Sequence, residues 1–111
     1  MSIVRVRSID REQVSQAVAA YTHALRQGHA EIERIIWFGS WVNGLPSPGS
    51  DVDLCLILSS SDKSPRDRVS EFLPLGFPVG VDLCVYTRAE FELLPSRSPG
   101  WHQAIISGTD I

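Results

Sequence analysis

The amino-acid sequence predicts an α/β (α+β) fold, a small mixed β-sheet with helices packed mainly on one face. Three observations carry that expectation. Apolar runs of strand length stand at Ile32–Phe38, Val52–Leu58 and 79–86. Segments of helical spacing separate them, in the order α-β-α-β-α-β-α. In the second and third runs, alternation sends Val and Leu to one side and Asp and Cys to the other. With 111 residues the chain has the length of one ordinary domain, so residues 1–111 are read as a single unit.

Each element has its own local cause. Residues 3–7 alternate apolar and basic, which predicts a short edge strand or an extended arm. Asp10 is placed to cap a helix whose stripe is Ile9, Val14, Val18, Tyr21 and Leu25, with Gly28 as its C-terminal stop. The run Ile35, Ile36, Trp37 and Phe38 makes a core strand halted by Gly39, and Ser40–Asn43 then predicts a short helix. Residues 44–50 hold two prolines and two glycines, a loop composition.

In the strand Val52–Leu58, Val52, Leu54, Leu56 and Leu58 take one face and Asp53, Cys55 and Ile57 the other, with Asp51 on that second side. A short helix is predicted over 66–73, with Val69, Phe72 and Leu73 inward and Pro74 ending it. The strand 79–86 repeats the pattern, placing Asp82, Cys84 and Tyr86 opposite Val79, Val81, Leu83 and Val85. Thr87 followed by Glu90 is a capping-box pair. It opens a helix expected to run through Phe91 and Leu94 and to stop before Pro95. Residues 101–106 predict a final apolar helical turn or two.

Composition narrows the function classes. A net charge of −3 argues against a broad electrostatic footprint for nucleic acid, so no direct nucleic-acid binding is expected. A single nucleotide is not excluded, because a bound metal can neutralise its charge. The charged start of the chain does not read as a signal peptide, and no stretch has the length and apolarity of a membrane span. Cys55 and Cys84 lie inside predicted strands, unlike the cysteines of a secreted disulfide scaffold. A reduced, cytoplasmic protein is the expectation.

The acids carry the chemistry. Asp51 and Asp53 are two apart on a strand, so their carboxylates point the same way. The segments Val52-Asp53-Leu54-Cys55 and Val81-Asp82-Leu83-Cys84 echo one another, each setting a charge into an apolar strand with no Lys or Arg beside it. Unpaired carboxylates in such places cost several kcal/mol or take up protons, and a shared cation removes that cost. Oxygen donors of this kind suit Mg²⁺, which completes its shell with water and substrate phosphate. His23, His29 and His102 are scattered and show no zinc spacing. Gly39-Ser40 sits between strand and helix, where glycine lets a phosphate approach backbone N–H groups. It is not a Walker loop, since no Gly-Lys-Ser/Thr follows.

The pattern Gly39-Ser40, ten residues, Asp51-Val52-Asp53, with Asp82 on a following strand, resembles the nucleotidyltransferase superfamily that includes DNA polymerase β and kanamycin nucleotidyltransferase. The short length, the wording Phe38-Gly39-Ser40…Ser50-Asp51-Val52-Asp53-Leu54 and the run Ile105-Ile106-Ser107-Gly108 are similar to its minimal nucleotidyltransferases, the MntA-type antitoxins paired with HEPN-domain toxins. The resemblance covers the chain from about Glu31 onward. It implies that Gly39, Ser40 and Ser50 contact the triphosphate and that Asp51 and Asp53 bind one or two Mg²⁺ ions. Asp82 would complete the metal site on the acceptor side and help deprotonate the attacking hydroxyl. Attack would fall on the α-phosphorus, with pyrophosphate leaving. Members often read Gly-Ser-Arg-Ala-Arg-Gly where this chain has Gly39-Ser40-Trp41-Val42-Asn43-Gly44. The missing arginines leave the triphosphate to metal, backbone, or cations such as Lys63, Arg66 or Arg88, each otherwise a solvated surface charge. Trp41 either stacks on a base or packs, and packing is the more ordinary role of such a residue.

Three functions follow from these parts. The first is a Mg²⁺-dependent nucleotidyltransferase that moves AMP from ATP to an acceptor hydroxyl on a partner HEPN toxin, acting as its antitoxin. The second is a binding module that neutralises a toxin by occlusion, with Leu93, Trp101 and Ile111 in the interface. The third is a small-molecule nucleotidyltransferase of the aminoglycoside type, working as a homodimer with a shared site.

Overall fold

The computed structural model describes residues 11–44 and 50–111. The expected arm at 3–7, the Asp10 cap, Ile9 and loop residues 45–49 lie outside the described residues. Helix α1 (Arg11–Gly28) is followed by β1 (Ile32–Phe38), α2 (Ser40–Asn43) and β2 (Val52–Leu58). After these come α3 (Pro65–Phe72), β3 (Val81–Thr87), α4 (Arg88–Arg97), α5 (Pro99–Ile106) and β4 (Thr109–Asp110). The strands form one mixed sheet in the order β3-β2-β1-β4. β1 runs antiparallel to both β2 and β4, while β2 and β3 are parallel and joined by a crossover through α3. No described helix is long and apolar enough to cross a membrane.

Register turns the alternation of the sequence into layers. Phe38 pairs with Asp53, and Asp53 with Asp82, so these three form one row across the sheet. Ile36, Cys55 and Cys84 form the next row, and Arg34, Ile57 and Tyr86 the one after. The Val/Leu face packs on α1, α2 and α3 through Val14, Val18, Leu25, Trp41 and Phe72. The opposite face is more covered than the alternation suggests. There Phe91 and Leu94 of α4 and Ile105 of α5 close over Ile36, Cys55 and Ile57. Those helices cover the first row at Phe38 and leave its Asp53 and Asp82 end open.

Four local expectations change. Leu73 is exposed rather than inward, because the chain turns extended there (ψ 137°) ahead of Pro74 and leaves the helical phase. Phe72 and Val69 do face inward, and Arg68, only 3% exposed, joins them. Its guanidinium grips the Glu90 carboxylate at 2.6 and 3.0 Å and donates to the carbonyls of Lys63 (2.8 Å) and Val85 (3.2 Å). The helix also begins earlier than residue 66, with Ser64 capping the Asp67 amide and Pro65 at its first position.

Helix α4 passes Pro95 and ends at Arg97. Proline removes one amide donor there, but burial of Phe91 and Leu94 anchors the turn and Ser98 N–H resumes the ladder to Leu94 O at 2.8 Å. The break comes at Ser98, ahead of Pro99, which opens α5. Lastly, β4 is an addition. Its pairing with Ile36 and Trp37 brings Gly108 so near β1 that a Cβ there would sit 2.7 Å from Phe38 Cβ. The expected capping box at Thr87 and Glu90 is present in both directions.

Candidate active site

The first row lies where β1 ends and β2 and β3 begin. Asp53 stands at its centre, half-buried, with Asp82 exposed beside it on β3. Two glycines make room for the acids. Gly39 has φ 87° and ψ −161°, a conformation open in practice to glycine alone. A Cβ there would overlap Asp53 Oδ2 and lie 2.9 Å from its Cγ. Gly80 plays the same part for Asp51, since a Cβ would overlap Asp51 Oδ1 and lie 3.0 Å from Cγ. Gly80 O also accepts the Val52 amide at 2.9 Å, tying the start of β2 to the start of β3. The structure therefore gathers Gly39, Asp51, Asp53 and Asp82 at one end of the sheet, with Ser40 exposed at the start of α2.

Electrostatics mark Asp53 as the strained member. Burial first, then the charges of Asp82 and Asp51, push its carboxyl up to about 6. The donors available are all carboxylate oxygens, which is the chemistry Mg²⁺ accepts, and the like charges that raise Asp53 are what a cation would relieve. Among the described residues no three or more His, Cys, Asp or Glu side chains converge as a closed metal cluster. An ion here would draw the rest of its shell from water and phosphate, as Mg²⁺ ordinarily does.

Trp41 has the packing role. It is 7% exposed, and its indole N–H donates to Ser50 O at 2.8 Å, which holds α2 against the chain just before Asp51. Ser50 thus meets α2 through its backbone carbonyl. Arg11, at the start of α1, donates to Trp41 O at 3.2 Å and lies 5.8 Å over the indole. It is the cation that the structure puts next to α2, and no sequence signal links residues so far apart.

The three cations proposed from the sequence stand elsewhere. Arg88 follows Thr87, at the end of β3 away from Asp82, a separation of roughly 16 Å along the strand. There it pairs with Glu33. Lys63 is bound to Glu71 at 3.0 Å, and its carbonyl is tied through Arg68 to Val85. Arg66 is exposed on α3 beside them. All three sit at the far end of the sheet, so none grips a phosphate held at Gly39.

Beside the acids is a hollow of about 290 Å³ lined by Phe38, Asp53, Asp82, Leu83, Cys84 and Trp101. Trp101 forms its α5 wall. The indole N–H donates to Tyr86 Oη at 2.9 Å, and the ring meets Phe38 edge-on with centroids 5.6 Å apart. Below the acid row, Cys55 and Cys84 are neighbouring free thiols, and contact with Cys84 together with burial pushes the Cys55 thiol up. His29 packs on Phe72 and His102 on Phe91, both away from the acids.

Residues 4–76 match the family model described as poly(A) RNA polymerase, mitochondrial-like, central palm domain. The match contains Gly39, Ser40, Ser50, Asp51 and Asp53 and ends before Asp82. No curated protein matches the chain.

Proposed function

Because this chain belongs to the poly(A) RNA polymerase, mitochondrial-like, central palm family, a family of nucleotidyltransferase type, we propose that it is a Mg²⁺-dependent transferase of nucleoside monophosphate. The donor is ATP and the acceptor a hydroxyl, carried by a partner toxin of the HEPN kind, so that the protein acts as an antitoxin in a reducing, cytoplasmic setting. One observation supports this above the others: Asp53 and Asp82 face each other in register beside a glycine shaped around the Asp53 carboxylate.

In this reading Asp51, Asp53 and Asp82 hold the ion. Mg²⁺ supplies charge neutralisation on the triphosphate and favours the ionised acceptor. The turn at Gly39 and Ser40 receives the terminal phosphates, with Ser50 nearby. Asp82, exposed on β3, takes the proton of the attacking hydroxyl as oxygen bonds to the α-phosphorus and pyrophosphate departs. Asp53 must be ionised to serve, and its raised affinity for protons ties transfer to pH.

The test is incubation with α-labelled ATP, Mg²⁺ and the product of the adjacent gene. Label on that protein, lost in Asp53→Ala, supports the proposal. Label on an added RNA instead would make RNA the acceptor, as the family description poly(A) RNA polymerase suggests. Tight binding without label would favour neutralisation by occlusion, for which exposed Leu93 and Trp101 are the motivating surface. Label only on an added aminoglycoside would favour the dimeric small-molecule enzyme.

A further inference from the structure

Trp101 is unusual for its size and place. It is 43% exposed, yet its indole is fixed at both ends, by the hydrogen bond to Tyr86 Oη and the edge contact with Phe38. An exposed indole on a helix surface ordinarily has no such partners; this one is held by two contacts while 43% of its surface stays open. Phe38 is paired directly with Asp53, so the indole edge reaches the row that carries the acids. The hollow between them, about 290 Å³, brings the Asp53 and Asp82 carboxylates together with the Phe38 and Trp101 rings. That lining suits one molecule with a charged head and a flat aromatic part.

We propose that Trp101 is the stacking platform for the base of the bound nucleotide. The inference rests on the transferase reading and adds the part that grips the nucleoside. A nucleotide with its α-phosphate at Asp53 and Asp82 has only the ribose between that phosphate and its base, which suits a wall one row from the acids. Stacking on a single indole is tolerant of base identity, because every base has a π-face. It also supplies binding energy on the base side, where it does not depend on Lys63, Arg66 and Arg88, which are out of reach of the phosphates.

The test separates base from phosphate. Binding of ATP and of inorganic tripolyphosphate, each with Mg²⁺, is measured by calorimetry for the wild type, Trp101→Phe and Trp101→Ala, alongside each variant's melting temperature. Trp101→Ala is expected to weaken ATP by roughly 5- to 150-fold, the worth of one base stacked on an aromatic ring, and to leave tripolyphosphate unchanged. ATP is expected to quench the indole fluorescence of the wild type, and Trp101→Phe to recover most of the ATP affinity while losing that quench. An unchanged ATP affinity in Trp101→Ala, or an equal loss for both ligands in a folded variant, overturns the platform and leaves the transferase reading standing. If neither ligand binds the wild type, platform and transferase reading fall together.

Discussion

Two glycines separate backbone demand from side-chain demand at the acids. Gly39 must remain glycine on both counts, since its φ and ψ exclude other residues and Asp53 fills the space of a Cβ. Gly39→Ala is expected to cost about 1–3 kcal/mol of stability, read by urea denaturation, and to remove activity. Gly80 has the crowding without a positive φ. Gly80→Ala should therefore keep the melting temperature nearly unchanged while displacing the Asp51 carboxylate and slowing transfer roughly 100-fold. A large stability loss in Gly80→Ala would contradict that division. Arg68 is the structural counterpart, a buried cation satisfied wholly by protein groups. Arg68→Ala is expected to destabilise by about 3 kcal/mol, because it strands two carbonyls and an oriented carboxylate at once. Its partner Glu90 is held below the usual carboxylate range, chiefly by that guanidinium.

The elements show how much could be read in advance. β1 was legible as an apolar run halted by Gly39, and β2 and β3 because charge at Asp53 and Asp82 interrupts apolar runs with a period of two; that same interruption exposed the acids of the site. The capping box was legible because it is local; Thr87→Ala should cost about 1 kcal/mol in thermal unfolding, with Thr87→Ser nearly neutral. What escaped depends on distance in the chain. Arg68 looks like a surface residue until Glu90 is brought beneath it, and Arg11 has no visible tie to Trp41. Leu73 carries the right period for the core, but the following proline overrides it. Pro95 carries a stop signal that buried neighbours outweigh. β4 is two polar residues without periodicity, defined only by the edge it meets. Trp101 was legible as an apolar residue in excess of the core, and only the register of β1 against β2 places it beside the acids.

At the scale of the molecule, the acid row opposes folding at neutral pH, and a bound cation would relieve it. Asp53 binds its proton up to about pH 6 in the folded chain, against an ordinary value of 3.8. The folded state is thus favoured by Asp53 below the ordinary value, and that advantage is lost as the pH rises through about 6. Asp53→Asn should flatten this part of the stability–pH curve and stabilise the neutral protein by about 1 kcal/mol or less, since water screens a site this open. For the same reason Mg²⁺ should raise the melting temperature more at about pH 7.5 than at about pH 5, as followed by calorimetry. The sheet order also has a kinetic side. β1 and β2 are antiparallel neighbours separated by a short connection, whereas β3 reaches β2 only after the chain has wrapped through α3. Contacts of greater sequence separation close later. The half of the site that holds Gly39 and Asp53 is therefore expected to assemble first, Asp82 to arrive with β3, and β4, which meets β1 from still farther along the chain, to close last. A ligand that needs the whole acid row would then select chains in which β3 has docked and pass over those in which it has not.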